Sequence, residues 1–191
     1  QELLFLLADL RRQGRLPPMQ VFVDSPMADR VTEITARHPE YLDDESRAMM
    51  SLRKAPPEGL TLRFTKSVEE SMALNRVRAG AIVIAASGMC DAGRVRGHLK
   101  RLLWRREVTV LLSGFQAAGT LGRLLSEGAR HIQIQGDEIR VKARIRSLDI
   151  YSAHADARGL VEWVRARGPV AGSIFLAHGE PTSLEGLRRR L

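Results

Sequence analysis

Apolar positions along this chain recur in two rhythms, one of period 3.6 and one of unbroken short runs. Residues 2–13 place leucines and Phe5 at helical spacing and stop at Gly14, which predicts an amphipathic helix. Residues 20–23, Gln-Val-Phe-Val, read as a short buried strand. Asp24-Ser25-Pro26 follows, with Ser25 suited to cap a helix and Pro26 to its first position, so a helix is predicted over 26–36. The polar stretch 38–57 predicts a surface helix over 43–52, which Pro56-Pro57-Glu58-Gly59 breaks before a strand at 60–64. Ser67-Val68-Glu69-Glu70 has the pattern of a capping box and predicts a helix over 67–77, leading into the apolar run Ala81-Ile82-Val83-Ile84-Ala85.

An internal repeat comes next. Strand 82–86, Ser87-Gly88, four residues, Gly93 and a helix are echoed about 26 residues later by strand 108–112, Ser113-Gly114, four residues, Gly119 and a helix. Continuous apolar strands alternating with helices predict an α/β fold, a parallel sheet with helices on both faces and ligands at the carboxyl ends of its strands. Ser25, Ser87 and Ser113 would then share one rim. From His131 the character changes to short alternating strands, 131–135 and 139–150, around a tight turn at Gly136-Asp137, so a domain boundary is placed between 135 and 136. The rest predicts a histidine turn, a helix over 157–167, a strand over 173–177, a second histidine turn and a final helix, too little to stand alone.

Composition narrows the class. The chain has 191 residues, 44% hydrophobic and 27% charged, enough for one soluble domain or parts of two. No apolar run approaches the roughly 20 residues that span a bilayer, and residues 2–10 are too short and too acidic for a signal peptide, so a cytoplasmic protein with no membrane partner is expected. A single cysteine, Cys90, cannot form an internal disulfide. The net charge of +8, with arginine far outnumbering lysine, points to a polyanionic partner more than to the other sources of arginine excess, genome base composition and solubility. The chain starts at Gln1 and runs straight into an apolar helix, which reads as an excised piece of a longer protein.

Several positions carry candidate chemistry. Residues 88–94 and 114–120 have the two-glycine spacing of a phosphate loop but lack the lysine and hydroxyl that grip terminal phosphates and magnesium, which argues against NTP hydrolysis. Exposed amides in such loops favour an anion such as a backbone phosphate; plain strand-to-helix punctuation explains them as well. Arg94 and Arg96, early in the following helix, tilt the balance toward phosphate. Cys90 has no histidine beside it and reads as a bystander, and His38, His98 and His131 read as structural. His154 in Ser152-Ala153-His154-Ala155-Asp156 and His178 in Leu176-Ala177-His178-Gly179-Glu180-Pro181 differ, since each sits in a small-residue turn with an acid two positions on. Such a histidine can ligate a metal or move a proton near neutral pH. Asp156 and Glu180 are equally ordinary as acids at helix starts.

Asp24-Ser25-Pro26-Met27-Ala28, the Ala85-Ala86-Ser87-Gly88-Met89 loop with Gly93-Arg94, Ser113-Gly114-Phe115-Gln116, the His154 turn and His178-Gly179-Glu180 together resemble the β-CASP branch of the metallo-β-lactamase superfamily. That branch of RNA-processing metallo-hydrolases includes ribonuclease J and the mRNA 3′-end processing endonuclease. The resemblance holds in order and spacing over essentially the whole chain. It implies a parallel-sheet β-CASP domain over 1–135, joined to the C-terminal βα elements of an incomplete metallo-β-lactamase αββα domain over 136–191. It also implies hydrolysis of RNA phosphodiesters, in some branches of DNA, by a complete protein holding two zinc ions.

Carried over by position, His154 matches a histidine that donates a proton to the leaving oxygen, and His178 matches a zinc ligand. Asp156 and Glu180 would support them from behind, while Ser87, Gly88, Arg94 and Ser113 would contact RNA phosphates from the β-CASP side. The His-x-His-x-Asp-His signature of the family is absent, as are a further histidine, a bridging aspartate and the acid that orients His154. Asp24 is not that acid, which the family places farther upstream. The chain alone is therefore expected to be inactive and to bind zinc weakly if at all. Its expected partners are single-stranded RNA, the missing N-terminal half of its metallo-β-lactamase domain and, through surface left uncovered, a second copy of itself. Two other readings stand beside this one: a non-catalytic RNA-binding or scaffold member of the same family, and a Rossmann-like binder of small nucleotides, which leaves the histidine turns unexplained.

Overall fold

Val21, Phe22 and Val23 are buried one after another because their strand has a neighbour on each side. Strand β1 (Met19–Asp24) runs parallel to β2 (Leu60–Phe64), with Val21 opposite Leu62, and to β3 (Ala81–Ala85), with Val21 opposite Ile82. The computed structural model describes residues 2–44, 47, 50, 52–53, 55–77, 79–148 and 154–191. Much of the helix expected over 43–52 lies outside the described residues, since 45, 46, 48, 49 and 51 are not among them.

Helix α1 (Glu2–Arg12) lays Leu7 and Ala8 against this sheet, where they cluster with Val21, Leu52 and Leu60. Burying a side chain of this size contributes about 2 kcal/mol, so packing rather than helix propensity holds the element in place. Helix α2 (Pro26–Ala36) starts as its sequence predicts: Ser25 Oγ accepts from the Ala28 amide at 3.2 Å, and Pro26 stands in the first turn. Helix α3 (Val68–Ala73) is capped by Ser67, whose Oγ accepts from the Glu70 amide at 3.2 Å.

A second core gathers the rest of the α/β region. Helix α4 (Val95–Leu102), strand β4 (Thr109–Leu112), helix α5 (Leu121–Ser126) and strands β5 (His131–Ile134), β6 (Asp137–Arg140) and β7 (Arg144–Ser147) share it. Leu99, Leu103, Leu112, Leu121, Leu125, Ile132 and Ile134 form its centre. β4 pairs in parallel with β7, so the expected parallel pairing is present but divided between two sheets. β5 and β6 form an antiparallel hairpin whose turn is Gln135-Gly136, both residues left-handed at φ 52° and 85°. The turn therefore falls one residue earlier than Gly136-Asp137. The domain boundary expected at 135/136 coincides with this turn, and both strands of the hairpin pack on the same core.

The single strand expected over 139–150 is two. β6 ends at Arg140, and the Lys142 and Ala143 amides both donate to the Leu103 carbonyl, at 2.7 and 2.9 Å, which turns the chain off the hairpin and onto β4. Alternation of apolar and polar residues fixes which face is buried but not which neighbour supplies the hydrogen bonds. Residues 149–153 lie outside the described residues.

Helices α6 (Ala157–Arg165) and α7 (Pro181–Arg188) complete the chain. The strand expected over 173–177 is not formed, and Phe175 within it is 90% exposed. A strand exists only with a partner to complete its ladder, and among the described residues none lies beside this segment. Val161 is the only buried residue between 154 and 191. Among the described residues no helix is long and apolar enough to cross a membrane.

Candidate active site

The loops Ser87-Gly88 and Ser113-Gly114 leave the carboxyl ends of β3 and β4, and buried Gln116 fastens them together. Its Nε2 donates to the Gly88 carbonyl at 3.0 Å and to the Gly114 carbonyl at 2.8 Å. Asp91 Oδ1, from the first loop, accepts from the Leu121 amide at 2.8 Å, and the Gly122 amide donates to the Met89 carbonyl at 3.0 Å. The first repeat thus helps cap the helix of the second. Gly93 shapes the first loop: its φ is 74°, and a Cβ there would collide with the Ala86 carbonyl, 2.9 Å from its carbon. Gly93→Ala combines a left-handed alanine with a backbone clash, so it is expected to destabilise by about 2 kcal/mol or more, read as a lower urea midpoint at unchanged m-value.

Beneath this rim lies a buried charge network. Asp24, at the end of β1, is fully buried and receives four side-chain donors. Ser71 Oγ donates to it at 2.5 Å, Arg94 Nη1 at 2.6 Å and His98 Nε2 at 2.6 Å, and the Thr65 hydroxyl completes the set. Burial alone would raise the Asp24 pKa; the hydrogen bonds from Ser71, Thr65, His98 and Arg94 outweigh it and hold the value down at about 2. Arg94 also donates from Nη2 to the Lys66 carbonyl at 2.9 Å. Its guanidinium is therefore turned inward, bracing the floor of the loop from which phosphate contact was expected.

Cys90 is buried in the same loop, and burial, followed by the nearby Asp91 charge, pushes its thiol up to about 11. At neutral pH it stays protonated and is a poor nucleophile, in keeping with its reading as a bystander.

The two histidine turns come together. The rings of His154 and His178 stand 5.7 Å apart between centroids, tilted by 57°. His178 is left-handed at φ 63°, and Gly179 leaves room for Leu184, whose Cδ2 would lie 2.9 Å from a Cβ at 179. Asp156 caps α6, its Oδ1 accepting from the Gly159 amide at 2.7 Å. Glu180 opens α7 and places Oε1 3.4 Å from Arg123 Nη1 on α5. That ion pair links the second histidine turn to the helix that follows the Ser113 loop.

Residues 1–125 match the Beta-Casp domain. The chain belongs to the β-CASP family. Residues 138–191 match the Zn-dependent metallo-hydrolase RNA specificity domain. Ribonuclease TTHA0252 of Thermus thermophilus is 32% identical over 191 residues, covering 100% of this chain and 43% of that protein. The transcription termination factor FttA of Methanosarcina mazei is 29% identical over 188 residues, 94% of this chain and 29% of the factor. An RNase J-like protein of Methanocaldococcus jannaschii is 29% identical over 180 residues, 94% of this chain and 40% of that protein. The chain spans less than half the length of each of these relatives.

A zinc-dependent family raises the question of ligands. Among the described residues of this β-CASP chain, no group of three or more His, Cys, Asp and Glu side chains converges to hold a metal. Catalytic zinc takes three protein ligands and leaves a fourth position open. His154 and His178 therefore do not complete a zinc site with the other described residues. Asp24 and His98 were not singled out as a pair from the sequence, although Arg94 and His98 are spaced i, i+4 and so had to share a helix face. Gln116 and Arg123 gave no such local signal; only the folded chain brings them to their partners.

Proposed function

We propose that these residues belong to a zinc-dependent nuclease that hydrolyses RNA phosphodiesters between a β-CASP domain, 1–135, and a metallo-β-lactamase domain whose last elements are 136–191. The observation that carries this reading is the approach of His154 to His178, 5.7 Å between ring centroids, in turns that the Glu180–Arg123 pair ties to the β-CASP rim. The names of the relatives, a ribonuclease and an RNase J-like protein, support an RNA substrate over a mononucleotide.

In this reading the Ser87-Gly88 and Ser113 loops hold a backbone phosphate, with Arg94 fixing the first loop from below through Asp24. His154 gives a proton to the leaving oxygen, a role suited to an imidazole near neutral pH. His178 supplies one zinc ligand. Asp156 holds the start of α6 just after His154, and Glu180 holds the His178 turn against Arg123. The remaining ligands come from an N-terminal half of the metallo-β-lactamase domain, which would also cover the exposed Ile174 and Phe175. The 191 residues alone are inactive and hold zinc weakly, and the complete protein works in the cytoplasm.

The test is metal content and RNA cleavage of the complete protein, with and without His178→Ala. Zinc and cleavage in the parent, both lost in the variant, support the nuclease. A complete protein that binds RNA but holds no zinc and cleaves nothing replaces it with a non-catalytic scaffold.

A further inference from the structure

From Ile139 to Arg146 the chain sorts charge from core with period two. Ile139, Val141, Ala143 and Ile145 pack on the Leu99–Leu112 core, while Arg140, Lys142, Arg144 and Arg146 are all exposed. Where the open end of the β5–β6 hairpin meets the turn after α4, a cavity of about 410 Å³ is lined by Arg106, Arg130, His131, Arg140, Val141 and Lys142. His131 stands directly opposite Arg140 in the hairpin register.

The acids nearby do not neutralise this cluster. Asp137 is paired with Lys100 at 2.6 Å and Glu107 with Arg105 at 2.8 Å, whereas Arg106, Arg130, Arg140 and Lys142 form no ion pair among the described residues. Glu138 sits two pairs farther along the hairpin than Arg140, opposite Gln133. Like charges held together repel, and a cavity that concentrates four of them is poised for an anion carrying several charges. Across the same turn, Trp104 is 55% exposed in a second groove of about 610 Å³, beside Arg76 and Arg101. An exposed indole in a groove that guanidinium groups also line suits an unpaired base, which a duplex would keep stacked inside.

This surface is not the cleft. Arg106 and Lys142 precede β4 and β7, whereas Ser113 and His154 follow the carboxyl ends of those strands. A four-residue strand alone separates the two ends by about 13 Å.

We propose that the cavity at the open end of the β5–β6 hairpin is a second anchor for single-stranded RNA, gripping backbone phosphates while Trp104 stacks on a base. The polymer's identity rests on the nuclease reading; the grip itself requires only a chain of phosphates with unpaired bases.

The experiment measures binding of labelled oligouridylates of about 4 and about 16 nucleotides across a salt series, using the complete protein that carries this chain, with cleavage of the longer one followed in parallel. Arg140→Glu/Lys142→Glu and Arg106→Gln/Arg130→Gln are compared with Arg30→Glu/Arg37→Glu, which makes the same charge change as the first variant at exposed positions on α2 and at its C-terminal cap. Both hairpin variants are expected to bind the longer RNA at least about 10-fold more weakly and with a shallower salt dependence, whereas the α2 variant changes it by less than about 2-fold. Trp104→Ala is expected to weaken binding without altering the salt slope. Equal losses in all three charge variants, or none in the hairpin pair, overturn the anchor while wild-type cleavage leaves the nuclease standing. A wild-type protein that neither binds nor cleaves RNA removes both. Circular dichroism of each variant confirms that a loss of binding is not a loss of fold.

Discussion

Asp24→Ala is expected to lower the stability of the β-CASP region by about 3–5 kcal/mol, the range for breaking a buried charge pair from one side. The substitution removes the acceptor for four donors and leaves the Arg94 guanidinium facing a void that water cannot easily replace. Asp24→Asn keeps the volume and loses the charge, so a smaller loss is expected. Urea unfolding measures both. The pH dependence adds a second readout with a definite sign. The folded pKa lies near 2, below the value of 3.8 for the free side chain, so this contribution is fully present above pH about 4 and fades as pH falls toward about 2. The variant should therefore lose less stability than wild type across that interval. A loss below about 1 kcal/mol for Asp24→Ala would mean that the network is not what holds the strand end to α4.

In the complete protein, His154→Ala should reduce kcat for RNA cleavage by about 100- to 10,000-fold while zinc content stays near that of wild type. The two histidines stand ring against ring, and metal content tells their roles apart. If His154 moves a proton, its loss removes transition-state help and leaves metal affinity intact; if it is a ligand, the metal goes with it. His178→Ala supplies the reference, since loss of zinc is expected there. The basic limb of the pH–rate profile, where a proton donor has given up its proton, should also flatten in His154→Ala. Equal loss of zinc from both variants would reassign His154 as a ligand.

The elements that the sequence made legible are those whose cause is local. Ser25 and Ser67 cap helices through amides three residues away, and Val21, Phe22 and Val23 make an unbroken apolar run that the sheet buries. Residues 173–177 have the same apolar look and do not pair, because a ladder needs a neighbour that no local pattern supplies. The departure of the chain from β6 to β7 turns on the Leu103 carbonyl, some forty residues away, and was equally unreadable. In the site, the histidine turns announced themselves by small residues and acids at fixed offsets. Asp24 did not, since an acid at a strand end before Ser-Pro reads as a loop residue until Thr65, Ser71, Arg94 and His98 are seen to converge on it. The bonds from Arg94 to Asp24, Thr65 and the Lys66 carbonyl were unreadable for the same reason.

A carboxamide nitrogen carries only two hydrogens, and Gln116 commits one to each repeat. That single atom keeps the Gly88 and Gly114 carbonyls within about 6 Å of one another whatever the surrounding strands do. The twin loops therefore behave as one rigid jaw rather than two fingers: an insertion or a shift in either must be felt in the other.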